Sequence, residues 1–178
     1  PKIGWLDPGQ GGLAKPGYPT YVQARRVLQR AGEVVDISTL ATSMGVPEGI
    51  DLLIVARPDA LHPRAAFAID QYLQGGGRAL FALDNHHYTL AVDTQIEHRV
   101  TGLEVLLDAW GVPLSKGVLW DQNCMTVSSK QRVEAADGSV TEVPLLVQYP
   151  YWLDILDSGL SKDVPVTARL AGLVTYWA

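Results

Sequence analysis

The sequence predicts an α/β domain on a mainly parallel, doubly wound sheet. Three observations carry that expectation. Short apolar runs such as Asp51-Leu52-Leu53-Ile54-Val55-Ala56 are continuous rather than alternating, as in strands buried on both faces of a parallel sheet. Segments of helical periodicity alternate with those runs. Glycine and proline punctuate the joins.

Lys2 to Leu6 is the first expected strand, and Asp7-Pro8-Gly9 is its turn. Thr20 and Gln23 have capping-box spacing. Tyr21, Ala24, Leu28 and Ala31 then follow a helical stripe, with Gly32 at the stop. Glu33 to Ile37 reads as a second strand and Leu40 to Gly49 as a loop. After the strand ending at Ala56, Pro63 suits the first turn of a helix. Ala66, Ile69 and Leu73 share a face of that helix, and Gly75-Gly76-Gly77 closes it. Ala79 to Leu83 is the next buried strand. Thr101 and Glu104 form a second capping box, before a helix through Leu103, Leu106, Leu107 and Trp110 that stops at Gly111 and Pro113. Val118 to Trp120 reads as a further strand. Met125 to Val133 and Val140 to Val147 then read as a β-hairpin around Asp137-Gly138, extending the sheet or packing beside it. Tyr149-Pro150-Tyr151-Trp152 is an aromatic cluster, continued by a short helix at Ile155 and Leu156. Val174 to Ala178 is the last strand.

The 178 residues, 47% hydrophobic and 19% charged, suit one globular domain over 1–178 and exclude wholesale disorder. The net charge of −5 argues against nucleic acid as a partner. Cys124 is the one cysteine, which excludes an internal disulfide framework and a cysteine zinc cluster. No apolar run approaches the roughly 20 residues of a membrane-spanning helix, and no signal segment is present. The chain enters a strand directly after Pro1 and closes on a strand, so a domain excised from a longer protein is expected.

Asp7-Pro8-Gly9-Gln10-Gly11-Gly12 occupies the place of a phosphate loop but lacks both glycine fingerprints. The turn after Ala56, Arg57-Pro58-Asp59-Ala60-Leu61-His62, has no serine or cysteine to serve as a nucleophile. His62 reads as a helix cap. Cys124 has no basic residue within five positions and reads as an inert thiol. Asp154 and Asp157 have the spacing of a solvated helix face. His86, His87 and His98, interleaved with Asp84, Asp93 and Glu97, are suitable metal-ligand types; were a metal bound, His86, His98 and Asp84 would be the first ligands. No cofactor and no catalytic residue is expected. Tyr149, Tyr151, Trp152, Tyr176 and Trp177 are read as core, with a recognition surface as the alternative. Asp7, Arg57, Asp84, Asn85, His86 and Asp121 are the candidate binding residues. Each is expected beyond the carboxyl end of a strand, where open α/β sheets bind ligands.

A family resemblance runs from Ile50 through Pro58, Ala68-Ile69-Asp70-Gln71-Tyr72-Leu73 and Gly75-Gly76-Gly77 to Asp84. It continues through Trp110-Gly111-Val112, Asp121, Tyr149-Pro150-Tyr151-Trp152 and Pro165-Val166-Thr167. The chain resembles the extracytoplasmic domain of auxiliary proteins of uncharacterised ABC transporters, the gliding-motility-associated family. The resemblance implies a Rossmann-like three-layer sandwich of the class I glutamine-amidotransferase type, similar to a domain of an intraflagellar transport component. It implies a membrane-attached, periplasmic domain working beside an ABC permease and an ATPase. The strand-end residues themselves suggest a shallow polar cleft contacting a glycan, a peptide, a small ligand or a partner subunit. The resemblance carries no catalytic residues. A degenerate or metal-assisted hydrolase of the amidotransferase-like class is the alternative, and a purely structural module a third reading.

Overall fold

The structure, a computed structural model, describes residues 1–7, 21–37, 40, 45–89, 95–134 and 138–176. They fall into two compact units, Pro1–Lys116 and Gly117–Ala178.

The first unit holds a four-stranded sheet of β1 (Lys2–Leu6), β2 (Glu33–Asp36), β3 (Leu52–Ala56) and β4 (Ala79–Ala82), in the order β2-β1-β3-β4. All three pairings are parallel. The continuous apolar runs become the two central strands. Alternate side chains of β1 and β3 enter different cores. Leu6, Leu53 and Val55 pack with Ala65, Ala68 and Ile69 of α2 (Pro63–Gln74) and Leu107 of α3 (Glu104–Ala109). Ile3, Trp5, Ile54 and Ala56 pack with Tyr21 and with Leu28 of α1 (Val22–Ala31). Helices therefore cover both faces of this sheet.

Helix α2 begins as the sequence predicts. Pro63 opens it, and His62 Nδ1 accepts the Arg64 N–H at 3.1 Å. Near its other end the Tyr72 hydroxyl donates to the Ile50 carbonyl at 3.0 Å and accepts the Arg78 N–H at 3.2 Å. One phenol thus ties the helix to the segments entering β3 and β4. Helix α1 differs from expectation. Tyr21, not Thr20, stands at its cap position and makes no side-chain cap bond. The Gln23 side-chain oxygen Oε1 instead accepts from Arg26 Nη1 at 3.3 Å. Thr20 itself lies outside the described residues.

The second capping box forms in an altered frame. Helix α3 starts only at Glu104, with Leu103 at the cap. The Glu104 carboxylate nevertheless accepts the backbone N–H groups of Thr101 and Gly102 at 2.6 and 2.9 Å, and the Thr101 hydroxyl at 2.9 Å. Gly102 is required between them. Its φ is +83°, and a Cβ there would collide with the Leu61 backbone. The polar stretch after β4 contains an antiparallel pair, β5 (His86–Thr89) and β6 (Gln95–His98).

The second unit is an antiparallel sheet, β7 (Cys124–Glu134), β8 (Val140–Leu156) and β9 (Gly172–Tyr176), in that order. Two expectations need correction here, and of the two placements open to the hairpin the first is excluded. Residues 118–120 form no strand; Leu119 and Trp120 are exposed, so no second row of partners sustains a ladder. Ile155 and Leu156 continue β8, because β9 pairs with them, and only Asp157–Gly159 forms a single 3-10 turn. The hairpin builds its own sheet with β9 and adds no strand to the parallel one. Of its expected turn, Gly138 is described, at φ +78°, and Asp137 is not.

Glu104 supplies a pH test. Burial raises its carboxyl pKa, but hydrogen bonds from its own N–H, from the Thr101 N–H and hydroxyl and from the Gly102 N–H outweigh burial and lower it. A lowered folded pKa means stability present above the unfolded value of about 4.3 and lost as pH falls through the folded value. Glu104→Gln should cost about 1 kcal/mol at neutral pH. In urea melts at several pH values, that deficit should shrink as the pH drops below about 4.3. A deficit that ignores pH would contradict the carboxylate's role.

Candidate functional site

The strand order places a topological switch between β1 and β3, since β1 leads toward β2 on one side and β3 toward β4 on the other. Sheets of this kind open a crevice at the carboxyl ends of those strands. Asp7 directly follows β1, Arg57 directly follows β3, and Asp84 lies two residues beyond β4.

Arg57 and Asp84 meet. The guanidinium Nε stands 2.9 Å from Asp84 Oδ2, with the two side chains only 15% and 29% exposed. The other carboxylate oxygen, Oδ1, accepts the His86 N–H at 3.0 Å. Arg57 also donates its own N–H to the Ala82 carbonyl at 2.7 Å. It does so from φ +44°, a left-handed conformation that non-glycine residues adopt at a cost of about 1–2 kcal/mol. Ala60, at φ +46°, is the only other described non-glycine residue of this kind. Asp7 accepts the indole N–H of Trp5.

Tyr21 joins this group. Burial pushes its phenol above the ordinary value; Arg57 pulls it down, and Asp84 and Asp7 push it up. Four side chains from the ends of β1, β3 and β4 and the start of α1 therefore share one electrostatic neighbourhood. Trp5 packs on Tyr21 with ring centroids 5.8 Å apart.

A second ion pair flanks the first. Arg99 Nη2 lies 2.7 Å from Asp59 Oδ2, with side chains 15% and 27% exposed. Burial lowers the Arg99 pKa. Backbone bonds Ala60 N–H to Val100 O, at 2.8 Å, and Leu61 N–H to Thr101 O, at 3.0 Å, lace this turn to the segment after β6. The Asn85 amide donates to the Ser115 carbonyl, and its own carbonyl accepts the Arg99 N–H at 2.7 Å.

His86 and His98 are directly opposed across the β5–β6 pair. Their rings meet edge to face at 5.7 Å, and His86 is buried. His87 opposes Glu97 on the other side of the pleat. Of the proposed ligand trio, the Asp84 carboxylate is engaged by Arg57 and the His86 N–H. Among the described residues no group of three or more His, Cys, Asp or Glu could hold a metal ion. Asp93 and the loop residues from Pro8 to Gly12 lie outside the described residues.

Asp121 belongs to the second unit, and the strand expected to precede it does not form. Its carboxylate accepts the Asn123 N–H at 2.9 Å, and its own N–H donates to the Pro150 carbonyl at 3.1 Å. It lines an open depression of about 660 Å³ with Trp120, Gln122, Asn123, Cys124 and Gln148. Cys124 is half-buried there. Asp154 lies in β8 and Asp157 in the following turn, paired with Lys162, so they share no helix face. Tyr149 contacts Trp152 at 5.3 Å and Tyr151 at 6.1 Å; burial raises the Tyr149 phenol, with a smaller push from Tyr151.

Sequence reasoning missed Tyr21, Asp59 and Arg99 as members of this crest. The usable signal was position: Asp59 lies in the turn after β3, and Tyr21 opens the helix after β1.

The Arg57–Asp84 pair is testable by a double-mutant cycle of Arg57→Ala and Asp84→Asn. Exposed pairs couple by about 0.2–1 kcal/mol. This mostly buried pair should exceed about 1 kcal/mol in chemical denaturation, and additive single effects would contradict the pairing.

A protein family described as ABC-type uncharacterized transport system matches residues 1–178. No curated protein and no solved structure matches the chain.

Proposed function

The chain belongs to the family of auxiliary components of an ABC-type uncharacterized transport system, and from that membership we propose that it is a non-enzymatic, extracytoplasmic binding domain of such a system. The match over residues 1–178 is the observation that carries the reading. In this reading the domain is periplasmic and held at the membrane by segments outside these residues; no described helix is long and apolar enough to cross a membrane. It works beside the permease and ATPase of an export or gliding-type system. The crest at Asp7, Tyr21, Arg57 and Asp84 contacts a partner subunit, a glycan or a peptide.

Two features support a binding role over catalysis. The turn after β3 presents Arg57-Pro58-Asp59-Ala60, with no serine or cysteine to attack a substrate. The charges of the crest are engaged with one another at 2.9 and 2.7 Å, an arrangement suited to a fixed polar surface. The order β2-β1-β3-β4 with helices on both faces supports the Rossmann-like, amidotransferase-type fold.

A metal-assisted hydrolase is the second reading, and the apposed rings of His86 and His98 favour it. Titration with zinc, nickel and manganese in a calorimeter separates the two: the binding-domain reading expects no heat and no thermal shift.

The principal test is to tag the full-length gene product, solubilise native membranes in detergent and identify the co-purifying proteins by mass spectrometry. An ATPase and a permease should be recovered. Recovery of the protein without transporter subunits would contradict the proposal.

A further inference from the structure

Strands β7 and β8 form a ribbon that outruns its support. Among the described residues β9 pairs with β8 only from Trp152 to Leu156, so residues 126–134 and 140–148 stand two strands wide. A two-stranded hairpin is marginal in water, and three or more strands with an apolar face are needed for stability.

The register sorts the ribbon's side chains onto two faces. The odd-numbered residues 125–133 share one face with the odd-numbered residues 141–149. None of these ten is charged, and seven are apolar. Val133, Val143 and Leu145 on this face are 44–45% exposed. The opposite face carries Lys130, Arg132, Glu134 and Glu142, two cations and two anions. Glu142 lies 3.1 Å from Lys130 and 3.8 Å from Arg132.

Among the described residues β7 pairs only with β8 and forms the edge of its sheet. Its eleven residues include no proline. β8 carries Pro144 and Pro150, each lacking an N–H for a ladder. A long, proline-free edge strand is a template for another strand. β7 has no proline and no charge on its apolar face; its charges, Lys130, Arg132 and Glu134, all lie on the opposite face, and its one register irregularity sits at the Cys124/Met125 end.

We propose that β7 is a dimerisation edge, pairing antiparallel with β7 of a second copy about a two-fold axis through Ser129. Charge selects this register. With Ser129 on the axis all eleven residues find partners: Lys130 opposes Ser128, Arg132 opposes Thr126 and Glu134 opposes Cys124, so every charge meets a neutral side chain. An axis at Lys130 would oppose two lysines, and an axis at Gln131 would oppose Lys130 with Arg132, both unfavourable. Moving the axis the other way leaves residues at the Glu134 end unpaired. An axis between residues would join the charged face to the apolar one. The symmetric register makes a four-stranded ribbon with one continuous uncharged face. The partner is a second copy rather than an anionic lipid surface, because the ribbon's four charges cancel and the chain carries −5, leaving no basic patch for lipid headgroups.

The test uses the full chain with Cys124→Ser as background. Opposed residues in an antiparallel pair have Cα atoms about 4.5–5.5 Å apart, within the disulfide range of about 4.4–6.8 Å. Ser129→Cys should therefore yield mostly disulfide-linked dimer under mild oxidation. Gln131→Cys, whose symmetry mate would lie about four residues or 13 Å away along the strand, should stay monomeric. By sedimentation equilibrium the parent chain should dimerise reversibly, and Ser129→Lys, folded by circular dichroism, should weaken dimerisation at least about tenfold, a free-energy change of about 1.4 kcal/mol. A monomeric parent, or equal cross-linking from positions 129 and 131, would overturn the assignment. A monomer that instead binds anionic vesicles or a different protein through the ribbon would do so as well.

Discussion

Burial of β1 and β3 on both faces is the constraint from which the rest of the first unit follows. Leu53 and Val55 have no exposed surface, and Ile54 on the opposite side of the pleat retains 5%. A strand enclosed this way can carry no polar side chain along its length without a buried partner. Polar groups are therefore displaced to the strand ends, where Asp7, Arg57 and Asp84 appear. Parallel pairing also calls for long crossover connections; α1 joins β1 to β2 and α2 joins β3 to β4, and the two cores show both faces covered. The crest is thus where chemistry is allowed by the packing beneath it.

The crest is ordered by pairing. Arg57 holds a left-handed backbone, and its guanidinium meets a carboxylate whose other oxygen is bound by the His86 N–H. A bulky residue in that conformation persists only where its surroundings over-determine it. Here an ion pair and a backbone bond to Ala82 supply that determination. The second pair, Arg99–Asp59, together with the backbone bonds of Ala60 and Leu61, fixes the remainder of the turn. A rigid, charge-balanced surface recognises partners through shape and placed hydrogen bonds, with little ordering cost on contact.

Much of this was legible from the residues alone. The runs Lys2–Leu6, Asp51–Ala56 and Ala79–Leu83 announced strands, and the continuous apolar stretch Leu52–Ala56 announced burial on both faces of a parallel sheet; β4, read as buried, is an edge strand on which Leu80 is exposed. Pro63 and His62 announced the start of α2. Asp7, Arg57, Asp84, Asn85 and His86 were placed near the crest by the rule for strand ends alone. Other features depend on partners distant in sequence. The β5–β6 pair is encoded in a polar stretch with no alternation to reveal it. Ile155 and Leu156 look locally indifferent and become strand because β9 arrives from residues 172–176. Asp121 drew its candidacy from a strand at 118–120 that has no partner. The ion pair Arg99–Asp59 joins residues forty positions apart, beyond the reach of local pattern.

In the proposed function the crest at the carboxyl end of the sheet is a contact surface within an ABC transport system. Site-specific photo-cross-linking in the native membrane addresses it most directly. A photoreactive residue at the exposed Ala60, in the crest turn, should capture a transporter subunit. The same residue at the exposed Gln74, at the other end of α2, should not. Capture of no transporter component from position 60, or equal capture from both positions, would contradict the account.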